Sequence, residues 1–259
     1  MDNVDEIIAQ IGNVLEKVLK EKLVLQSINY NDYSIKYVSK DRYELQIGIA
    51  KTKKRNSIVS GDTYNCKKLN DGKYLISLSD GMGSGPEARK SSTIAIKMLD
   101  RMLESGFEKD TSLKMINAAL SSSGEDMYAT MDIAVFDLFT GNVEFMKNGA
   151  SPTFIKNEND IQMLMSESLP AGILNDIDLV VYDKDIKEGE IFVMCSDGII
   201  ESDKDYTNKE LWLKYLLEDI KIKDAQKIAD IVLSEAIDND IGIPKDDMTV
   251  IVAKVVKNK

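Results

Sequence analysis

Two stretches, YLISLSDGMG at residues 74–83 and IFVMCSDGII at residues 191–200, decide how this chain is read. Each is a short apolar run that ends in Ser-Asp-Gly. A buried strand holds its last residue rigidly, so an Asp at that point projects a carboxylate from a fixed scaffold into a cleft. The Gly that follows permits a tight turn and a close approach to its carbonyl. Working outward, the same strand character recurs in YELQIGIA (43–50), MDIAVFDL (131–138), NVEFMK (142–147), DIQMLM (160–165), LVVYD (179–183) and MTVIVAKVV (248–256). Helical patterns interrupt near 84–105, where Gly106 can end the helix, near 111–122, and as a pair near 207–218 and 224–238. Strands in successive runs and helices in pairs do not make a β-α-β alternation. They predict a mainly antiparallel, layered α+β fold.

Before this domain, Val4, Ile7, Ile8, Ile11, Val14, Leu15, Val18 and Leu19 recur at helical spacing with polar residues between them. The expectation is an amphipathic N-terminal helix as an appendage over residues 1–43, joined by a polar, tyrosine-bearing linker near 29–43 to a domain at 44–259. The seven-residue step Val4, Ile11, Val18, Leu25 suits a partner helix, including one from a second copy of the chain, and equally suits packing on its own domain.

The 259 residues carry 44 Asp and Glu against 33 Lys and Arg, a formal charge of −11, and no histidine. With no imidazole, a Ser-His-Asp triad, a Cys-His pair and an H-E-x-x-H zinc site are all excluded within this chain. The acidic total argues against broad binding to nucleic acid or to an anionic membrane surface. No run reaches the length needed to span a bilayer, and the start lacks the pattern of a secretory signal, so a cytoplasmic location is expected. Cys66 and Cys195 have no metal-type spacing and read as free thiols, with Cys195 in the core.

Two further acidic points stand at strand boundaries: Asp62 in Ser60-Gly61-Asp62, and Asp246-Asp247 just before MTVIVAKVV. Asp-Gly is a common turn dipeptide, and each pair alone is explained that way. Convergence of Asp62, Asp80, Asp197 and Asp246 would carry a repulsive cost that divalent cations remove. An all-oxygen set without His or thiolate favours Mg²⁺ or Mn²⁺, is compatible with Ca²⁺, and disfavours zinc.

In order and spacing, S-G-D-T-Y (60–64), S-D-G-M-G-S-G (79–85), L-P-A-G-I (169–173), M-C-S-D-G-I-I-E (194–201) and D-D-M-T-V (246–250) resemble the PPM-type, metal-dependent protein serine/threonine phosphatases, and within them the stage II sporulation protein E family. The resemblance spans residues 44 to 256. It implies two packed, mainly antiparallel sheets flanked by helices in an αββα sandwich. It also implies two Mn²⁺ or Mg²⁺ ions per active site, with Asp80 bridging both, Asp197 and Asp246 on one, and Asp62 with the Gly81 carbonyl on the other. The implied substrate is the phosphoserine form of a small anti-anti-sigma factor, whose dephosphorylation activates a sigma factor during sporulation. A homodimer through the N-terminal helix is implied as well, and so is a longer membrane-anchored parent of which this chain is the cytosolic part.

The chain departs from the wider family at several points. Met82 stands where many relatives carry a His that protonates the leaving group. Asn148-Gly149-Ala150-Ser151 replaces a loop that often bears a third-metal Asp; Asp132 is a candidate replacement, with a strand-surface role as the alternative. Arg55 is a weak candidate for the phosphate-binding Arg of many relatives. Asp247 is read as supporting the ligands, with direct ligation as the alternative, and Thr249 as satisfying carboxylate oxygens or simply suiting a strand. Among rival classes, an ATP-binding D-x-G-x-G box is spoiled by Met82. A catalytically silent docking domain of the same fold is the second reading, set behind the enzyme because every candidate aspartate is retained.

Overall fold

A computed structural model describes residues 2–123, 127–174, 176, 179–203 and 207–258. The chain opens with α1 (Asp2–Leu19), then a hairpin of β1 (Leu23–Asn29) and β2 (Ser34–Ser39). Next come β3 (Tyr43–Thr52), β4 (Thr63–Lys68), β5 (Lys73–Ser79), α2 (Pro86–Glu104) and α3 (Lys109–Ser121). Five strands succeed one another as β6 (Met131–Asp137), β7 (Asn142–Asn148), β8 (Thr153–Lys156), β9 (Ile161–Leu164) and β10 (Val180–Asp185). The chain closes with β11 (Ile191–Cys195), α4 (Asp197–Ile200), α5 (Leu211–Asp219), α6 (Ala225–Asn239) and β12 (Met248–Lys257).

Two five-stranded sheets form, in the orders β10-β7-β6-β5-β4 and β3-β12-β11-β8-β9, and every pairing within them is antiparallel. Side-chain alternation explains the layering. In β11, Phe192 and Met194 face the other sheet, while Ile191, Val193 and Cys195 face α5 and α6. In β6, Ala134 and Phe136 meet the opposing sheet, while Ile133 and Val135 pack under α2 and α3. Both faces of the central strands are therefore covered, which is why these segments read as continuous apolar runs. The layers are α2/α3, first sheet, second sheet, α5/α6, as the sandwich expectation required.

The N-terminal region is more structured than a helix and linker. Residues expected as a linker supply the turn and second strand of the β1–β2 hairpin, where Ile35, Tyr37 and the facing Ile28 and Leu25 pair across the ladder. Leu25 lies in β1, so the seven-residue step expected through it stops at Val18. Gly12 lets the Tyr37 ring approach α1, since a Cβ there would lie 3.0 Å from the ring, and the Tyr37 hydroxyl donates to the Ile8 carbonyl. The helix is thus fastened to the hairpin through buried Ile8, leaving Val4, Ile7, Ile11, Val14 and Val18 exposed. Among the described residues no helix is long and apolar enough to cross a membrane.

Candidate active site

Each sheet delivers carboxylates to one end of the sandwich. Asp80 directly follows β5 and Asp62 directly precedes β4, so both belong to the first sheet; Asp197 follows β11 and Asp246 precedes β12 in the second. Asp80, Asp197, Asp246 and Gly81 line a shared cavity of about 420 Å³. Asp62 lies fully buried behind it. The SDG pair therefore meets across the sandwich, as the strand-end reading anticipates.

Local hydrogen bonds hold Asp80 in place. Its N–H donates to Thr130 Oγ1 at 2.9 Å, and the Thr130 N–H donates back to its carbonyl at 2.8 Å. The Met82 N–H donates to the Tyr128 carbonyl at 3.0 Å. Gly81 has no room for a side chain, because a Cβ would fall 1.8 Å from the Ala88 carbonyl oxygen in the first turn of α2. Gly198 is similarly tight, its notional Cβ lying 2.2 Å from the Asp247 carbonyl oxygen. These two close approaches bring the Asp80 and Asp197 turns against α2 and the Asp246-Asp247 segment respectively.

The electrostatics are those of carboxylates crowded together. Burial pushes Asp80 up to about 10, with the charges of Asp62 and Asp197 adding to it and a hydrogen bond to Asp197 favouring its protonated form. Burial likewise raises Asp62 to about 6, against the hydroxyls of Thr249 and Ser196, with Asp247 and Asp197 reinforcing the rise. Asp197 has much solvent-accessible surface, yet the protein around its cavity-facing carboxyl still raises it, opposed by the hydrogen bond with Asp80.

Thr249 Oγ1 donates to Asp62 Oδ2 at 2.6 Å, whereas Oδ1 of that carboxylate is buried and makes no hydrogen bond among the described residues. Asp247 plays a different part. Its Oδ1 accepts from the Lys54 N–H at 2.8 Å and its Oδ2 from the Gly61 N–H at 2.7 Å, so it ties two loops together and is not presented to the cavity.

A divalent cation fits this donor set. The available groups are carboxylate oxygens and the Gly81 backbone, Asp62 keeps an unpartnered buried oxygen, and unneutralised carboxylates repel. Among the described residues no three acidic or cysteine side chains close into a ready cage; the carboxylates rim the cavity instead.

Two expectations need correction. Asp132 is neither on a strand surface nor free for a third ion: it is 1% exposed, and its Oδ1 lies 2.6 Å from Lys147 Nζ. Its side chain shares the inter-sheet face of β6 with Ala134 and Phe136, which no single strand's polarity pattern reveals. Arg55 does not line the cavity; its backbone N–H donates to the Pro244 carbonyl, and its neighbour Lys54 is the cation on the cavity wall, 3.9 Å from Asp246 Oδ1. Sequence reasoning also missed Thr130, Gly149 and Pro170 as wall residues. The L-P-A-G-I run contains Pro170 and the Asn148-Gly149-Ala150-Ser151 loop contains Gly149, but neither motif says that its residue faces the cavity, and no motif marks Thr130.

The family model for stage II sporulation protein E matches residues 70–256. Stage II sporulation protein E of Bacillus subtilis (strain 168) is 35% identical over 257 residues, which is 98% of this chain but 31% of that longer protein. The chain therefore spans about a third of the length of that curated relative. Among solved structures, the PP2C phosphatase domain with a fragment of the regulatory domain of the Bacillus subtilis cell fate determinant SpoIIE superposes with a TM-score of 0.83 at 35% identity, covering 98% of this chain and 75% of that one. The phosphatase domain of the same determinant, in a crystal form without domain swapping, matches with a TM-score of 0.69 at 36% identity, covering 85% of this chain and 96% of that one.

Proposed function

Because this chain belongs to the stage II sporulation protein E family, we propose that it is a metal-dependent protein serine/threonine phosphatase that removes phosphate from phosphoserine on a small anti-anti-sigma factor and so controls sigma-factor activation in sporulation. The observation that carries this reading is the convergence of Asp80, Asp197 and Asp246 on one cavity with the half-satisfied Asp62 behind them. Two Mn²⁺ or Mg²⁺ ions would be held by Asp80 between them, Asp197 and Asp246 on one side, and Asp62 with the Gly81 carbonyl on the other. Bound there, the ions would acidify a water and neutralise charge on the phosphoryl oxygens.

The chain's own residues supply position. Thr130 fixes the Asp80 backbone, and Ala88 fixes how closely Gly81 approaches α2. Lys54 adds a positive charge at the cavity wall beside Asp246. Met82, 59% exposed on the same wall, cannot transfer a proton, and the proton for the leaving serine oxygen is assigned in this proposal to water.

Residues 1–43 form the regulatory and dimerisation piece, and 44–259 the phosphatase domain. The match to a phosphatase domain alone covers 85% of this chain, whereas the match that includes a regulatory fragment covers 98%, which supports that division. The exposed apolar stripe on α1 supports a homodimer seam. The chain's place in this proposal is the cytoplasmic part of a larger, membrane-anchored protein, and the match to 31% of the curated relative's length supports the larger protein.

A manganese titration with p-nitrophenyl phosphate, followed by a phosphoserine protein substrate, tests the reading. Metal-dependent hydrolysis of both is expected. A folded dimer that hydrolyses neither at any metal level would leave the silent docking domain as the better description.

A further inference from the structure

Between the two sheets lies a polar group that the chemistry above does not use. Lys147 Nζ donates to Asp132 Oδ1 at 2.6 Å and to Thr153 Oγ1 at 2.8 Å, and Thr153 Oγ1 lies 3.0 Å from Asp132 Oδ2. All three residues are at most 1% exposed. Asp132 and Lys147 are register partners on β6 and β7 of the first sheet, whereas Thr153 begins β8 of the second. The closed triangle therefore spans the sheet–sheet interface.

Elsewhere that interface is built of apolar side chains such as Phe136, Phe145, Phe192 and Ile251. Apolar packing is non-directional and sets the offset of one sheet over the other only through shape. Desolvating an ion pair is expensive, and apolar replacements of similar volume are often as stable or more so, so stability alone is a weak account of this one. Its location is more informative. Asp132 lies two residues from Thr130, which holds the Asp80 backbone. Lys147 lies two residues from Gly149 on the cavity wall, and Pro152, beside Thr153, has its carbonyl oxygen 4.0 Å from Cys195 Sγ at the end of the strand that carries Asp197.

We propose that the Asp132–Lys147–Thr153 triad is a register lock that fixes the offset between the two sheets, and with it the spacing of Asp80 from Asp197 and Asp246. Asp132, Lys147 and Thr153 are then positioning residues. The metal-binding part of this proposal rests on the phosphatase reading, whereas the sheet offset does not.

The test compares the wild type with the paired substitution Asp132→Leu with Lys147→Met, with Thr153→Val, and with the conservative Thr153→Ser. Spin labels on cysteines placed at Glu44 of β3 and Val181 of β10, in a Cys66→Ala chain, report the distance between opposite edges of the two sheets. The paired variant and Thr153→Val should give a shifted or broadened distance distribution, and Thr153→Ser the wild-type one. In calorimetric titration the same two variants should bind Mn²⁺ about ten-fold more weakly or worse, the range in which outer-shell partners act, with the melting temperature of the paired variant unchanged or raised. Folded variants with an unchanged distance distribution overturn the lock. If the paired variant does not fold, Thr153→Val decides by the same measurement. A wild type that binds no Mn²⁺ would sink the phosphatase reading, while the label distances would still decide the lock.

Discussion

Thr249 in β12 reaches across from the second sheet to donate a 2.6 Å hydrogen bond to Asp62 at the edge of the first, and it satisfies only one oxygen of that buried carboxylate. Removing the donor leaves a fully buried carboxylate with less support. Thr249→Val, close in shape, should lower the unfolding free energy by about 1–3 kcal/mol. It should also weaken Mn²⁺ binding, because Asp62 would resist ionising. Denaturant unfolding in chelator and a calorimetric Mn²⁺ titration check the two effects separately; an unchanged midpoint in both would show that the bond is incidental.

The raised carboxyls make a pH prediction with a definite sign. In the folded state Asp62 titrates near 6 and Asp80 near 10, both above the unfolded value of about 4. Between those limits the folded protein holds more protons than the unfolded one, so stability falls as pH rises. For buried Asp62 alone the loss between about pH 4 and its folded pKa reaches at most about 3 kcal/mol. Metal-free protein should therefore melt at a lower temperature at pH 8 than at pH 5, and saturating Mn²⁺ should flatten the slope. A metal-free melting temperature that rises across this range would contradict the crowding of Asp62, Asp80 and Asp197.

Relief of the same crowding separates stability from turnover. Asp80→Asn and Asp197→Asn should fold, and Asp80→Asn should raise the metal-free melting temperature at neutral pH, because the amide needs no proton on folding whereas the Asp80 carboxyl must take one up. Each should cost hydrolysis on the order of 10²–10³-fold or more, the scale of losing a preorganised charge contact at a reacting centre. Circular dichroism and p-nitrophenyl phosphate kinetics read the two quantities. Full activity in both variants would refute the ligand assignment.

Much of this was legible in the sequence because strands buried on both faces announce themselves. The runs at 73–79, 131–138 and 191–196 needed no partner to be recognised, and the SDG that ends the first and the last pointed to Asp80 and Asp197 as a pair. Polar edge segments were not legible: β4, reading TYNCKK, and the hairpin strand SIKYVS carry little apolar signal, because their pairing partners stabilise them. Asp132 was misread for a related reason. A charge on a strand normally faces solvent, and only the facing Lys147 and Thr153, distant in sequence or on another sheet, allow it to be buried. Lys54 and Arg55 show the limit of spacing arguments, since adjacent residues on a loop point to different places.

The apolar stripe on α1 yields a prediction about assembly. Val14 is 59% and Val18 72% exposed on a helix whose buried contact is made by Ile8. Val14→Asp with Val18→Asp, or a chain starting at residue 44, should run as a monomer in light scattering where the parent runs as a dimer. An unchanged mass would place the seam elsewhere.

Gly81 joins the site to helix α2 by lack of space. A methyl group there would lie 1.8 Å from the Ala88 carbonyl oxygen, a backbone atom within the first turn of α2, so Gly81→Ala must displace either the helix or the turn that carries Asp80. Either movement shifts the Gly81 carbonyl relative to Asp62 and Asp80. Metal binding should weaken by about ten-fold or more, as when a ligand's support is lost, while far-ultraviolet dichroism stays native. Gly189→Ala is the control. Its φ of 88° strains any side chain, but nothing lies within 4 Å of the new methyl and the turn sits between β10 and β11, away from the cavity. It should lose about 1–2 kcal/mol of stability with Mn²⁺ affinity and turnover intact. If Gly81→Ala bound Mn²⁺ as tightly as Gly189→Ala, the Gly81 carbonyl would not be a ligand, and α2 could move without consequence for the metals.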